Sequence, residues 1–224
     1  MTPSQTVTRV ASGRYAVFAR GAEVGEERWH IERGPDGFVV AGTQETIAPH
    51  PFPSRQEYRA ALDPRWRIVG LEVRWRVGDR EVLATHHSAA GMWRVRIEYA
   101  GHVKEQEGDF PDVCEVDYGT HLFSTILLAR REFAVGGEHE FPALRIGPPY
   151  MAVHPDRMLY RCVESQTRLT PWGPRPAKRY VVSVPGRGAE GYSFWSDERG
   201  IVLESFETPE PGETWMRLME YQWE

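Results

Sequence analysis

The chain has 224 residues, 41% of them hydrophobic, 26% charged and 12% aromatic, a globular composition long enough to bury a core without disulfide or metal staples. The 27 Lys and Arg against 32 Asp and Glu leave a formal charge of −5, which argues against nucleic-acid binding by counterion release and against an anionic membrane as partner. The 21 Gly and 17 Pro point to many short strands joined by turns rather than a helical bundle.

Met1 to Arg9 lacks a basic stretch followed by an apolar one, so no signal peptide is expected. The longest apolar runs, such as Ile126 to Ala129, are too short to span a bilayer. Residues 1–13 read as an N-terminal tail and residues 14–224 as a single β domain. A cytoplasmic protein with no membrane span is the expectation.

Period-two alternation then recurs along the chain, as a strand with one buried and one wet face requires. Strands are predicted over Arg14–Phe18, Glu26–Glu32 and Phe38–Gln44. Leu71, Val73, Trp75 and Val77 alternate with charged residues, and Trp93, Val95, Ile97 and Tyr99 repeat the pattern. Tyr180–Val184, Tyr192–Trp195, Ile201–Glu207 and Trp215–Trp223 complete the set. Turn chemistry separates them at Gly34–Gly37, Val77–Arg80 and Asp197–Gly200, the last ending in Gly where a positive φ is needed.

Between Thr120 and Arg131 the apolar residues Leu122, Phe123, Ile126 and Leu127 fall on one helical stripe. Thr120 or Asp117 can cap its start and Arg130 and Arg131 suit its end. A buried strand is the alternative. Pro148-Pro149 reads as a break, and the Pro-rich stretch Leu169–Pro176 as a long exposed loop. The fold class is therefore mainly β: one large, strongly curled antiparallel sheet, a spiral β-roll or half-barrel, with at most one or two short helices.

Constellations for chemistry are sparse. His86 and His87 are adjacent, so on a strand they point to opposite faces and cannot share an ion. No metal-ligand spacing, nucleophile elbow, P-loop or dinucleotide fingerprint occurs, and no cofactor or metal site is expected. Cys114 and Cys162 belong to no CxxC motif and read as buried reduced thiols. Cys114 sits among carboxylates, which raise rather than lower a thiol pKa. Glu115 and Asp117 share a face if their stretch is a strand, an arrangement that suits acid–base work and more often forms a solvated strand face. Glu138 and Glu140 carry the same spacing and the same bland reading.

The order of landmarks carries a resemblance. Tyr15, Val17, Gly21, Val24 and Gly25 look like a first hairpin of the form Y-x-V-x-x-x-G-x-x-V-G. Leu62 to Trp66 is similar to a D-x-x-W strand start. Gly91-Met92-Trp93, Cys114 to Asp117, Phe123 to Arg130 and Tyr192 to Val202 follow in order. This order resembles the bacterial putative glycolipid-binding, spiral β-roll family and its relatives with the half-barrel of periplasmic lipoprotein carriers. The resemblance spans roughly residues 14–207. It implies a curved antiparallel sheet around an apolar interior, and no catalytic residue. Gly119 to Ser124 departs from the Pro- and Asn-containing stretch found there.

On this basis the expected function is binding of a lipid, glycolipid or other amphiphile in an apolar concavity. Trp75, Trp93, Phe123, Ile126, Trp195 and Leu203 would contact the tail, at about 0.8 kcal/mol per buried CH₂, and His121 and Arg130 would meet the head. Two alternatives stand beside it. One is an enzyme acting on an apolar small molecule in the same concavity, with Glu115, Asp117, His86 or His121 as acid–base groups. The other is an interaction protein pairing through edge strands, as in a homodimer.

Overall fold

A computed structural model describes residues 8–50, 53–89, 91–147, 151–186, 191–208 and 214–224. The strands are β1 (Thr8–Ala19), β2 (Ala22–Gly34), β3 (Gly37–Thr46), β4 (Ser54–Leu62), β5 (Ile68–Val77), β6 (Arg80–Ala89), β7 (Met92–Tyr99) and β8 (His102–Asp109). After β9 (Glu115–Tyr118) comes the helix α1 (His121–Arg130). The chain continues through β10 (Glu138–Gly147), β11 (Ala152–Thr170), β12 (Gly173–Ser183), β13 (Gly191–Asp197), β14 (Val202–Phe206) and β15 (Thr214–Trp223).

These strands form one 15-stranded sheet in the order β8-β7-β6-β5-β4-β3-β2-β1-β15-β14-β13-β12-β11-β10-β9. Almost every neighbour is the next strand in sequence, so the sheet is two meanders joined in the middle by the β1–β15 pair. All pairs are antiparallel except β9 with β10, because α1 intervenes and returns the chain in the same direction. The sheet is open and curled, not closed. Side chains from β5 to β7 and from β9 to β11 line one small interior void, so the two ends of the sheet pack face to face. The edges are β8 and β9. β8 carries Lys104, Glu105 and Glu107, a charged edge that disfavours further strand pairing.

The predicted alternation is present where both faces are chemically distinct. On β2, Glu27, Trp29 and Ile31 point inward. On β5, Leu71 and Val73 are buried and Trp75 is half-buried. Gly200 has φ +81° in the β13–β14 turn, as its position required. Three expectations change, and one falls outside the described residues. β1 begins at Thr8, where a tail through residue 13 was expected, and residues 1–7 lie outside the described residues. Pro148-Pro149 also lies outside them. The Pro-rich stretch is no long loop: Leu169 and Thr170 end β11, and Pro174 and Gly173 pair with them across a tight turn. The Pro residues fit there because that part of β12 has no partner on its other side, the position where a missing N–H costs nothing. Leu62 ends β4, and Asp63 to Trp66 form a turn before β5 rather than a strand start. Asp63 Oδ1 accepts hydrogen bonds from the backbone N–H groups of Arg65 and Arg67 at 2.8 and 2.9 Å.

The predicted helix is present, with Thr120 as its N-cap: Oγ1 accepts from the Leu122 N–H at 3.2 Å. Its burial exceeds one stripe. His121, Ser124 and Thr125 are buried along with Leu122, Phe123, Ile126 and Leu127. The helix therefore fills the concavity instead of lying on its rim. Phe123 packs edge-on against Tyr118 at 5.3 Å and against Tyr58 at 6.3 Å, and Gly200 lies against Leu128. Cys114 and Cys162 are both free and buried.

Candidate functional site

The short strand β9 and the turn after it build the site. Register places Asp117 opposite Arg145 on β10, and Arg145 opposite His154 on β11. The three side chains form one transverse row, because directly paired residues share a face. Arg145 lies 3.6 Å from Asp117 and 3.6 Å from Asp156. This row lines a cleft of about 460 Å³ with Tyr118, Gly119, Thr120, His121, Ile146, Gly147, Tyr192 and Trp215. The size lies within the range of small-molecule sites.

Burial tunes the groups around it. Loss of hydration pushes the Asp117 carboxyl up to about 6, against the opposing pull of the Arg145 charge. Burial pushes His121 down to about 3, so its imidazole is neutral near pH 7. His121 Nε2 shares a hydrogen bond with Ser205 Oγ at 2.6 Å, and its ring stands edge-on to Trp215 at 4.7 Å. Tyr192 is held by a triangle of hydroxyls, 2.8 Å from Tyr160 and 3.2 Å from Ser124.

A polar network supports the cleft from behind. Thr120 Oγ1 donates to Glu27 Oε1 at 2.7 Å, and Tyr58 donates to the same oxygen. Glu27 is fully buried and desolvation raises its carboxyl to about 7, although both hydrogen bonds pull it down. Tyr118 donates to Gln56 at 2.6 Å, and Gln56 donates to Gln44. The cleft wall at Tyr118 and Thr120 is thereby pinned to β2, β3 and β4.

Of the sequence-predicted contact residues, His121 alone lines this cleft. Trp93 borders an interior void of about 20 Å³ beside His86. Phe123, Ile126, Trp195 and Leu203 are buried in the core, and Trp75 packs against its margin. Arg130 is tied to Glu115, as is Arg131 at 2.8 Å. The acid–base candidates divide likewise. Asp117 and His121 both line the cleft, whereas Glu115 is clasped by the two arginines. His86 is buried and desolvation pushes it down to about 4, while His87 is exposed on the other face. Glu115 and Asp117 are therefore no solvated strand face; Glu138 and Glu140 are exposed.

Sequence reasoning missed Arg145, His154 and Glu27. Arg145 and His154 become neighbours only through pairing of β10 with β11. Glu27 carried a signal: a carboxylate in phase with Trp29 and Ile31 on an inward face. A larger trough of about 720 Å³ runs over the outer face past Arg28, His30 and Thr43, but Arg28 is already engaged by Glu26 at 2.7 Å. Among the described residues no group of His, Cys, Asp and Glu side chains could hold a metal ion. No described helix is long and apolar enough to cross a membrane.

A family model described as putative glycolipid-binding matches residues 17–206. No curated protein matches the chain. Two solved structures share the fold. One is a DUF1089 family protein from Pseudomonas aeruginosa, 18% identical, with TM-score 0.56 over 84% of this chain and 92% of that one. The other is a β-barrel-like protein of the domain of unknown function DUF1849 from Brucella abortus, 10% identical, with TM-score 0.58 over 96% and 97% of the two chains.

Proposed function

The chain belongs to the putative glycolipid-binding family, and from that premise we propose that it binds the sugar-bearing head of an amphiphile in the cleft at the start of α1. The observation that carries the reading is the mixed lining: the Asp117–Arg145–His154 row beside the aromatic side chains of Tyr118, Tyr192 and Trp215. Sugars have polar edges and apolar C–H faces. Aromatic rings with a few fixed polar groups suit both. Asp117 and Arg145 supply an acceptor and a donor for hydroxyls.

The tail takes a different route from the one expected. The interior void of about 20 Å³ holds about one water, not an acyl chain. Trp93, Phe123, Ile126, Trp195 and Leu203 support the walls in this reading, and Ile146 and Trp215 offer the tail its first apolar contact. A cytoplasmic location is part of the proposal, supported by the two free, buried cysteines, since disulfides are rare in reducing compartments.

The test is calorimetric titration with a short-chain alkyl glucoside below its micelle concentration. Saturable binding that Trp215→Ala weakens about tenfold or more, with the fold intact, supports the reading. Absence of binding to glucosides and galactosides alike, or binding indifferent to Trp215→Ala, would overturn it.

A second reading is an enzyme using the same cleft, favoured by the presence of both Asp117 and His121 in its lining. Asp117, raised to about 6, is poised to hold or release a proton near neutrality. Turnover lost in Asp117→Asn with ligand affinity retained would select this reading; unchanged ligand after prolonged incubation would reject it.

A further inference from the structure

His121 is the first residue of α1 and is only 2% exposed, yet it lines the cleft. Its Nε2 lies 2.6 Å from Ser205 Oγ. Ser205 is fully buried on β14, opposite Phe194 of β13 and Met216 of β15, so strand pairing on both sides holds its hydroxyl in place. Three rings close around the imidazole: Trp215 at 4.7 Å, Tyr192 at 6.2 Å and Tyr15 at 6.4 Å. The two tyrosine hydroxyls are engaged elsewhere. Tyr15 donates to the Val202 carbonyl at 2.9 Å, and Tyr192 bonds with Tyr160 and Ser124. Among the described residues, Ser205 Oγ and the His121 ring make no other hydrogen bond.

That isolation decides where the protons sit. A neutral imidazole carries one N–H, and the bond made by one nitrogen sets the state of the other. With the proton on Nε2, the ring would donate to Ser205, and the Ser205 hydroxyl proton would be buried without an acceptor, which is costly. With Ser205 donating to Nε2, both groups are paired and the ring proton sits on Nδ1. Burial keeps the ring neutral, and its place at the positive end of α1 disfavours a cation there as well.

On the reading of the cleft as a headgroup site, we propose that Ser205 is a positioning residue that fixes His121 as its Nδ1–H tautomer. His121 so held selects a head bearing an acceptor oxygen, an acylamino carbonyl rather than a free amine. A carbonyl oxygen only accepts and matches a fixed N–H. An amine must lose hydration against that N–H without gaining a bond. Plain hydroxyls donate or accept and are indifferent to the tautomer.

The rest of the lining leans the same way. Tyr118 and Thr120 spend their hydroxyl protons on Gln56 and Glu27. Arg145 and the Trp215 indole can only donate. An ammonium would meet the Arg145 charge and the positive end of α1. A carboxylate would meet Asp117, which stands 3.6 Å from Arg145. A neutral carbonyl avoids both conflicts.

The first measurement needs no ligand: long-range proton–nitrogen correlation of the full chain labelled with ¹⁵N-histidine at pH 7, with His121→Gln to assign the signals. The protonated nitrogen is expected at Nδ1, with Nε2 unprotonated. The second is calorimetric titration with octyl 2-acetamido-2-deoxyglucoside against octyl 2-amino-2-deoxyglucoside, both below their micelle concentrations. The acetamido head is expected to bind about tenfold or more tightly. In Ser205→Ala, with the fold checked by circular dichroism, the Nε2 signal is expected to move and the preference to narrow about threefold or more. A proton on Nε2 in the parent, equal affinity for the two heads, or a Ser205→Ala variant with unchanged signal and preference would overturn the proposal and leave the cleft reading in place. Binding of neither glycoside would overturn the cleft reading itself, and the proposal with it.

Discussion

Thr120 donates its hydroxyl to Glu27 Oε1 at 2.7 Å while accepting the Leu122 N–H at 3.2 Å. One side chain thus caps α1 and anchors it to β2, 93 residues away in sequence. The Tyr58 hydroxyl reaches the same carboxyl oxygen from β4. A carboxyl with no water around it is costly to ionise, so Glu27 keeps its proton up to about pH 7. The junction that shapes the cleft therefore rests on a neutral acid.

The first prediction concerns alkaline loss of stability. Glu27 titrates near 4.5 when unfolded and near 7 when folded, so the folded state binds the proton more tightly. The stabilisation is complete below about pH 4.5 and is lost as pH rises through 7. Urea unfolding at pH 5 and pH 8 is expected to show the parent losing about 2–3 kcal/mol more than Glu27→Gln. Equal losses in the two proteins would show that Glu27 ionises freely in the fold.

The acid limb has the opposite sign. His121 titrates near 6.5 unfolded and about 3 folded, because burial disfavours its charge. Its contribution is present above pH 6.5 and is lost as pH falls toward 3. Between pH 6 and pH 4 the parent is expected to lose stability faster than His121→Gln, by about 1.4 kcal/mol per pH unit. Parallel curves for parent and variant would mean that the imidazole accepts a proton in place.

The third prediction tests close packing over a strand glycine. Gly42 pairs with Tyr58 across β3 and β4, and a Cβ at position 42 would lie 2.4 Å from the Tyr58 hydroxyl oxygen and 2.8 Å from the Arg28 carbonyl oxygen. Gly42→Ala therefore forces the tyrosine off Glu27. A loss of about 1–3 kcal/mol in unfolding free energy is expected, with the pH 5 to pH 8 difference altered as well. A neutral substitution would mean that the strands separate at little cost.

Strands with contrasting faces were legible as sequence. Leu71-Val73-Trp75 and Trp93-Val95-Ile97 alternate against charge, and alternation alone suffices to name a half-buried strand. β4 was missed because Gln56 and Ala60 occupy its inward phase, and polar or small residues give no apolar signal. β8 was missed because most of it is exposed on both faces. β11 carries Pro155 and Asp156 near its start, and both read as loop. The helix was legible from Leu122, Phe123, Ile126 and Leu127. Its position inside the roll was not, because a stripe names the buried face and not the neighbour that covers it.

The sequence by itself determined a β-rich chain, the helical stripe of Leu122, Phe123, Ile126 and Leu127, the phases of the strands with contrasting faces, and the order of landmarks that carries the family resemblance. These are local properties, set by the two-residue and 3.6-residue periods and by turn residues such as Gly200. Only the tertiary structure decided that α1 fills the concavity, and that Asp117, Arg145 and His154 stand in one row. It also decided that Glu27 supports Thr120 and that Ser205 meets His121. Register between distant strands is fixed by the packing of the whole sheet, and burial is fixed by what lies opposite. Neither quantity is carried by any single stretch of chain.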